Sequence, residues 1–358
     1  MMMRSLLRRL DRFRRDHTQA LSHWFYRQIG KDKHLIDARL PKQDVKTILV
    51  LRNNKRIGNM YFMLPFLHAL RAAYPNAKID LMLIAASQAS IFHNLGLNQI
   101  IISRFSFKTG WAFLRTLRQT RQTIYDLVIM PHASASDTII GGMLHGRNKV
   151  AFRTARTAAV YPHAYEVTPK QSHAAYTALA LIEALGHRLD AQPDHTMVFD
   201  EDELTLGQQT VAELRGSAKY CVAFFRGARG NKVIADTQWH LVIDQLNEAL
   251  PQDITWVEVL SPDVREPLIN GCLTFESPDL RRLASVLRAC DLFLCGDTGP
   301  LHLADAALAR CVGLFTATDT KHYGCLSHHC LDVTLIEQLP LQAIKATLLD
   351  SLRQRGTA

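Results

Sequence analysis

The residues with the clearest capacity for chemistry lie in "CDLFLCGDTGPLHLADAAL", residues 290–308. A short apolar run stops at Gly-Asp-Thr-Gly-Pro, and an amphipathic run follows. That order predicts a strand feeding directly into a helix. Asp297, Thr298 and Gly299 would project from the strand's carboxyl end, with Pro300 at the favoured first helical position. The start of such a helix offers unpaired N–H groups and the positive end of its dipole, so it suits a phosphate or a carboxylate. Asp297 or Thr298 has equally the chemistry of a plain helix cap. His302, one turn in, has that of a buried structural histidine. Type and spacing leave both readings open.

Further polar groups stand at comparable places. "YCVAFFRGARGNK" ends an apolar run in a glycine-containing cationic loop that closes on Lys232. "ILVLRNNKRIGNMYF" does the same with Arg52, Lys55, Arg56 and Asn59. His132 follows the apolar run "YDLVIM". Near the end, "KHYGCLSHHC" packs His322, Cys325, His328, His329 and Cys330 into nine residues. Their spacing fits no standard structural zinc site, so no metal is assigned.

Parallel sheet is the architecture that places such loops. From residue 46 the text alternates strand-like "KTILVLR", helix-like "YFMLPFLHALRAAYP", strand-like "KIDLMLIA", helix-like "SIFHNLGL" and "WAFLRTLRQTRQT", then strand-like "YDLVIMP". The pattern loosens over 150–200 around one helix, "HAAYTALALIEALG". It restarts with "KYCVAFF", "TQWHLVIDQLNEAL", "ITWVEVLS", "PDLRRLASVLRAC", "DLFLCG", "LHLADAAL" and "CVGLFT", and closes on the helix "LPLQAIKATLLDSLRQR". The fold class is therefore α/β: two doubly wound domains facing across a cleft, with ligands beyond the strands' carboxyl ends. We divide the chain into a basic helical extension (1–45), a first Rossmann-like domain with the crossing (46–200) and a second Rossmann-like domain (201–358).

Charge is unevenly spread. The chain carries +9, and residues 1–34, with nine Lys/Arg and three Asp, carry +6 of it. Leu6, Leu7, Leu10 and Phe13 recur there at helical spacing between arginines. Residues 1–30 thus have the make-up of a helix that lies on an anionic membrane surface, and equally of one packed on the body with a solvated basic face. Because the charge belongs to this appendage, no nucleic-acid partner is expected. No apolar run is long enough to span a bilayer. No secretory signal core opens the chain, so a cytoplasmic protein, peripheral on the inner membrane, is the expectation. Seven cysteines, all in the second half, read as reduced and mostly buried thiols.

"DTGPLHLADAAL" followed by "VGLFTATDTKHYG" resembles the signature of the heptosyltransferase-like glycosyltransferases, glycosyltransferase family 9. The resemblance runs in order through "ILVLRNNKRIGNMYFMLPFLHALRAAYPNAKIDLMLI", "YDLVIMPHAS" and "YCVAFFRGARGNK…TQWHLVIDQL", and covers about residues 46–345. It implies the GT-B fold and inverting transfer of heptose from ADP-heptose, a nucleotide sugar, to a lipopolysaccharide core or similar glycan, a lipid-linked anionic acceptor. It also implies that Asp297 holds hydroxyls of the donor sugar. Thr298, Gly299 and Pro300 would shape the turn beside the diphosphate, with His302 in the same donor site and Lys232 on the phosphate. Trp239 matches an aromatic of that segment and reads as packing. No cofactor is implied, the nucleotide sugar being a substrate.

One departure bears on the chemistry. The family's loop after the first strand usually reads Ile-Gly-Asp, and that aspartate is the expected base. This chain has Asn59 there, and an amide takes no proton at neutral pH. Either another residue is the base, with His132 the nearest by fold logic, or the enzyme is weak or uses an unusual acceptor, or the chain binds nucleotide sugar without turning it over, as a silent homologue or scaffold. Arg52, Lys55 and Arg56 suit an anionic acceptor. Ala309 and Cys311, where the family usually has Gly and Pro, read as packing changes.

Overall fold

A computed structural model describes residues 22, 24–105, 110–166, 168–189 and 192–355. The extension's apolar stripe, Leu6 to Phe13, lies outside these residues. Six parallel strands make the first sheet: β1 (Thr47–Arg52), β2 (Lys78–Leu83), β3 (Gln99–Ile102), β4 (Tyr125–Met130), β5 (Gly146–Phe152) and β6 (His163–Tyr165), in the order β3-β2-β1-β4-β5-β6. Six more make the second: β7 (Tyr220–Phe225), β8 (Ile254–Val259), β9 (Leu273–Phe275), β10 (Leu292–Gly296), β11 (Cys311–Leu314) and β12 (Cys330–Val333), in the order β12-β11-β10-β7-β8-β9. The two orders are the same. Each sheet reverses its winding between its first and fourth strands, which opens a crevice beyond β1/β4 in one and β7/β10 in the other.

β1 shows why the central strands read as unbroken apolar runs. Ile48 and Val50 pack with Leu64, Leu67 and Leu70 of the helix Leu64–Ala73. Leu49 and Leu51 point the other way, with Phe113 and Leu117 of the helix Gly110–Thr120. Both faces are covered, so neither parity carries polar side chains. Register holds the strand ends level: Val50 pairs with Leu81 and Ile129, and Cys295 with Phe225 and Gly313.

Some helices differ from the sequence expectation. The run 61–75 is broken, with Gly58–Tyr61 ending at Phe62 before Leu64–Ala73 begins. "SIFHNLGL" is not an α-helix: a 3₁₀ segment, Ala86–Phe92, stops at Asn94 and Gly96, both in the left-handed region at φ 63° and 68°. "HAAYTALALIEALG" is α-helical only over Leu179–Ala184.

The helix Glu201–Arg215 packs on Leu280–Ala289 through Gly207, where an added Cβ would lie 2.5 Å from the Ser285 carbonyl oxygen. Backbone cannot yield as a side chain does. Gly207→Val is therefore expected to destabilise by about 3 kcal/mol, read by urea denaturation; wild-type stability would contradict so close an approach. No helix among the described residues is long and apolar enough to cross a membrane.

Candidate active site

Asp297 stands one residue past β10 and is buried. Its Oδ2 accepts from Lys232 Nζ at 2.6 Å and from the Thr318 hydroxyl, and its Oδ1 lies 3.3 Å from His302 Nε2. Burial alone would raise this carboxyl. The hydrogen bonds from His302, Lys232 and Thr318 outweigh it and hold the group well below the usual carboxylate range. Asp297 is thus a fixed anion with three partners. Thr298 takes the N-cap position of the helix Gly299–Ala306, but its side chain does not cap, since the hydroxyl turns back to the Gly296 carbonyl at 3.3 Å. With Asp297 committed elsewhere, the plain-cap reading fails for both residues, and the helix start keeps its free N–H character beside Pro300. His302 is buried, with Nδ1 lacking a hydrogen-bond partner among the described residues.

The loop that carries Lys232 is braced by residues sequence reading passed over. Arg226 Nε donates to the buried Glu258 at 2.7 Å, and Arg229 pairs with Asp263 at 2.7 Å. Glu258 in turn accepts from Leu268 N at 2.6 Å. Thr318 was missed too. An Asp just past a buried strand does signal a need for donors, but nothing in "TATDT" distinguishes which hydroxyl supplies one.

Across the cleft, Arg52 ends β1 buried rather than solvated, while Lys55 and Arg56 are exposed on the loop. The Asn53 side chain and backbone both donate to Asp137 Oδ1, at 2.7 and 2.9 Å, and the Ser103 hydroxyl donates to Asn53 Oδ1. Arg52 Nε, His132 Nε2 and Asp137 Oδ2 are buried without a hydrogen-bond partner among the described residues. Burial pushes Asp137 up. Burial, with Arg52 adding to it, pushes the His132 imidazole down to about 3. His132 is therefore neutral throughout the physiological range, with an unengaged nitrogen at the carboxyl end of β4.

The two walls meet at their helix starts. A Cβ on Gly58 would lie 3.6 Å from His302 Cδ2 and 3.8 Å from Gly299 Cα. Asn59, half-buried, follows Gly58 in the helix Gly58–Tyr61. Phe62 packs edge-on against His302 and His173, at centroid distances of 4.8 and 5.5 Å, and stacks with Tyr323 at 6.3 Å. Behind the cleft, Arg281 bridges the halves, donating to Ser90 and Val198 carbonyls at 3.1 and 2.6 Å and to Glu203. Asp297, Lys232, Thr298, Gly299, Pro300 and His302 thus share one wall, and Gly58, the residue before Asn59, abuts it. Arg52 and His132 are neighbours at the base of the other, and Lys55 and Arg56 lie on its rim.

The histidine–cysteine cluster assembles differently from its sequence. Cys325 and Cys330 are joined as a disulfide, against the expectation of free thiols, because the turn between them brings the two together. Asp332 lies with them within metal-ligand reach, but none of His322, His328 and His329 does.

Two doubly wound sheets, with an anchored acid and lysine at the second sheet's crevice, make a GT-B arrangement. The chain belongs to glycosyltransferase family 9 (heptosyltransferase), whose pattern matches residues 111–347, more than half of it. The glycosyl transferase family 9 structure from Veillonella parvula is similar at 16% identity and TM-score 0.72, covering 89% of this chain and 97% of that one. E. coli heptosyltransferase WaaC, solved with ADP, is similar at 18% identity and TM-score 0.66, covering 85% and 99%. E. coli ADP-heptose lipopolysaccharide heptosyltransferase II is similar at 15% and 0.67, covering 87% and 99%. No curated protein sequence is similar enough to count as a match.

Proposed function

We propose that this chain transfers heptose or a related sugar, with inversion, from a nucleoside diphosphate donor, ADP-heptose foremost, to a lipopolysaccharide core or similar anionic, lipid-linked glycan. One observation carries the reading: Asp297 is held ionised by Lys232, Thr318 and His302 just before the start of the helix Gly299–Ala306. A carboxylate in that state accepts hydrogen bonds from sugar hydroxyls. Lys232 and the helix start supply positive charge where the leaving diphosphate gains negative charge, so no divalent ion is needed to carry it. WaaC's solution with ADP and with ADP-2-deoxy-2-fluoro heptose supports the choice of donor.

In the transfer, an acceptor hydroxyl oxygen bonds to the anomeric carbon as the bond from that carbon to the diphosphate oxygen breaks. The hydroxyl's proton must leave with the attack. Asn59 holds the hydroxyl through its amide oxygen, and His132, neutral with a free nitrogen, is the residue to which we assign the proton. An imidazole at about 3 is of the same order of basicity as an ordinary carboxylate at about 3.9. It therefore stands in for an aspartate without needing an exposed, high-pKa ring. Arg52, Lys55 and Arg56 are assigned to anionic groups of the acceptor, and residues 1–30 to the membrane surface of a cytoplasmic protein.

The direct test is thermal stabilisation by ADP, UDP, GDP, CMP and ADP-heptose, since a ligand that binds only the folded state raises the melting temperature. The expected ranking puts ADP-heptose first and ADP next. A preference for UDP or GDP would remove the heptose assignment. Binding of ADP-heptose without turnover on any core acceptor would leave the silent-homologue alternative.

A further inference from the structure

The basic character of this chain has a second source. Residues 103–124 contain Arg104, Lys108, Arg115, Arg118 and Arg121 and no acid, a charge of +5. With the +6 of residues 1–34 this makes +11, more than the whole chain's +9, so the remaining residues are net negative at −2. The second segment is mostly the helix Gly110–Thr120, whose buried residues are Phe113, Leu117 and Thr120. The opposite stripe runs Trp111, Leu114, Arg115, Arg118, at the i, i+3, i+4, i+7 spacing of one helix face. Trp111 is 88% exposed and Leu114 49%, and both arginines are exposed. Among the described residues, nothing covers Trp111, and Leu114 stays half exposed on this face.

Its place in the fold gives it direction. The helix precedes β4 and runs antiparallel to the parallel strands, so its first turn, with Trp111, lies at the carboxyl-end edge of the sheet. That edge carries the cleft: Ser103, just past β3, bonds Asn53, just past β1. The exposed Lys55 and Arg56 lie on the same edge. In the same helical layer, Ile29 packs on Gly142 of the helix Ala135–Met143, which seats the helical residues 24–29 on the far side of that helix. Trp24 and Phe25 there are 61% and 42% exposed.

We propose that the Trp111–Leu114–Arg115–Arg118 stripe is a second, folded membrane-binding element, which seats the cleft edge of the first domain on an anionic lipid surface. A tryptophan and a leucine enter the interfacial layer while the arginines one turn further on take lipid phosphates. Charge decides against the other occupants. Residues 1–21 carry six arginines and two aspartates, so laying them on this stripe sets cation on cation, and a second copy packed face to face does the same. The membrane surface stands whether or not the transfer reading holds, since lipid binding needs no turnover.

The test titrates full-length protein with phosphatidylcholine vesicles, with and without phosphatidylglycerol, and measures the bound fraction by sedimentation. Wild type is expected to bind the anionic vesicles and not the neutral ones. Arg115→Gln and Arg118→Gln are each expected to weaken that binding about fivefold. Trp111→Glu weakens it at least as much, Trp111→Tyr preserves it, and the melting temperature stays unchanged because the stripe is exposed. Any of three results overturns the proposal: variants that bind anionic vesicles as wild type does, a wild type that binds neither vesicle, or a self-association or nucleic-acid retention that the Trp111→Glu change removes in place of lipid binding.

Discussion

Asp297→Ala is expected to lower kcat/KM by about a hundred- to a thousandfold, some 3–4 kcal/mol of transition-state stabilisation. The substitution removes the group assigned to the sugar hydroxyls. It also leaves the Lys232 ammonium, the Thr318 hydroxyl and His302 Nε2 aimed at an empty volume, and buried donors without an acceptor are costly. ADP, lacking the sugar, should lose less affinity than ADP-heptose; equal affinity of wild type and variant for ADP-heptose would refute the donor assignment. The pH dependence has a definite sign. The carboxyl sits below its ordinary value in the folded protein. The stability it contributes is therefore complete above the unfolded value of about 3.9 and is lost only as pH falls below it. Donor affinity is accordingly expected to be flat from neutral pH down to about 5 as far as Asp297 is concerned, measured by thermal shift with ADP-heptose across buffers.

The second large effect is at His132. His132→Gln keeps a neutral hydrogen-bonding side chain of similar size and removes the basic nitrogen, so kcat is expected to fall by about 10²–10⁴ while donor KM is little changed. The informative companion is Asn59→Asp in the same background, which puts a carboxylate next to Gly58, the residue that abuts the Asp-Thr-Gly-Pro turn. Recovery of a substantial part of the lost rate would show that proton removal was the missing step. A His132→Gln enzyme as fast as wild type would place the base elsewhere. With burial and Arg52 holding the imidazole down at about 3, kcat/KM is expected to carry no His132 inflection near 6.5, the ordinary histidine value.

The central strands and the donor turn were legible because burial on both sides leaves only apolar residues, and because an Asp-Thr-Gly-Pro break in such a run has few structural meanings. β5 was not. "GRNKVAF" reads as a polar loop, yet Lys149 is fully buried and Asn148 nearly so. Lys149 Nζ donates to the nearby Leu144 carbonyl at 2.7 Å, but further partners come from a chain segment more than a hundred residues away: Asp32 lies 3.2 Å from Lys149 Nζ, and Asn148 bonds Leu40 N, Ile36 O and Ala38 O. A strand whose polar groups are satisfied by distant backbone has no local signature. The helix Glu201–Arg215 was overlooked although Asp200 and Glu203 form a capping box at its start, because the acidic run there reads as a linker. At the site, the positions were readable but their state was not. The charge partner of Arg52 is Asp137, and the depressed basicity of His132 comes from burial and from Arg52, neighbours that only the fold brings near.

Phe62 has a kinetic consequence. It closes one domain onto the other through His302, His173 and Tyr323, while Gly58 and Gly299 abut beside it. An opening of the cleft that separates the two walls has to part those rings. To the extent that donor entry needs such an opening, the observed dissociation constant is the intrinsic one divided by the open fraction. Loosening the aromatic latch, as in Phe62→Ala, would speed donor capture and release together, and the gain in admission would be set against a cleft less able to exclude water once the donor is in place.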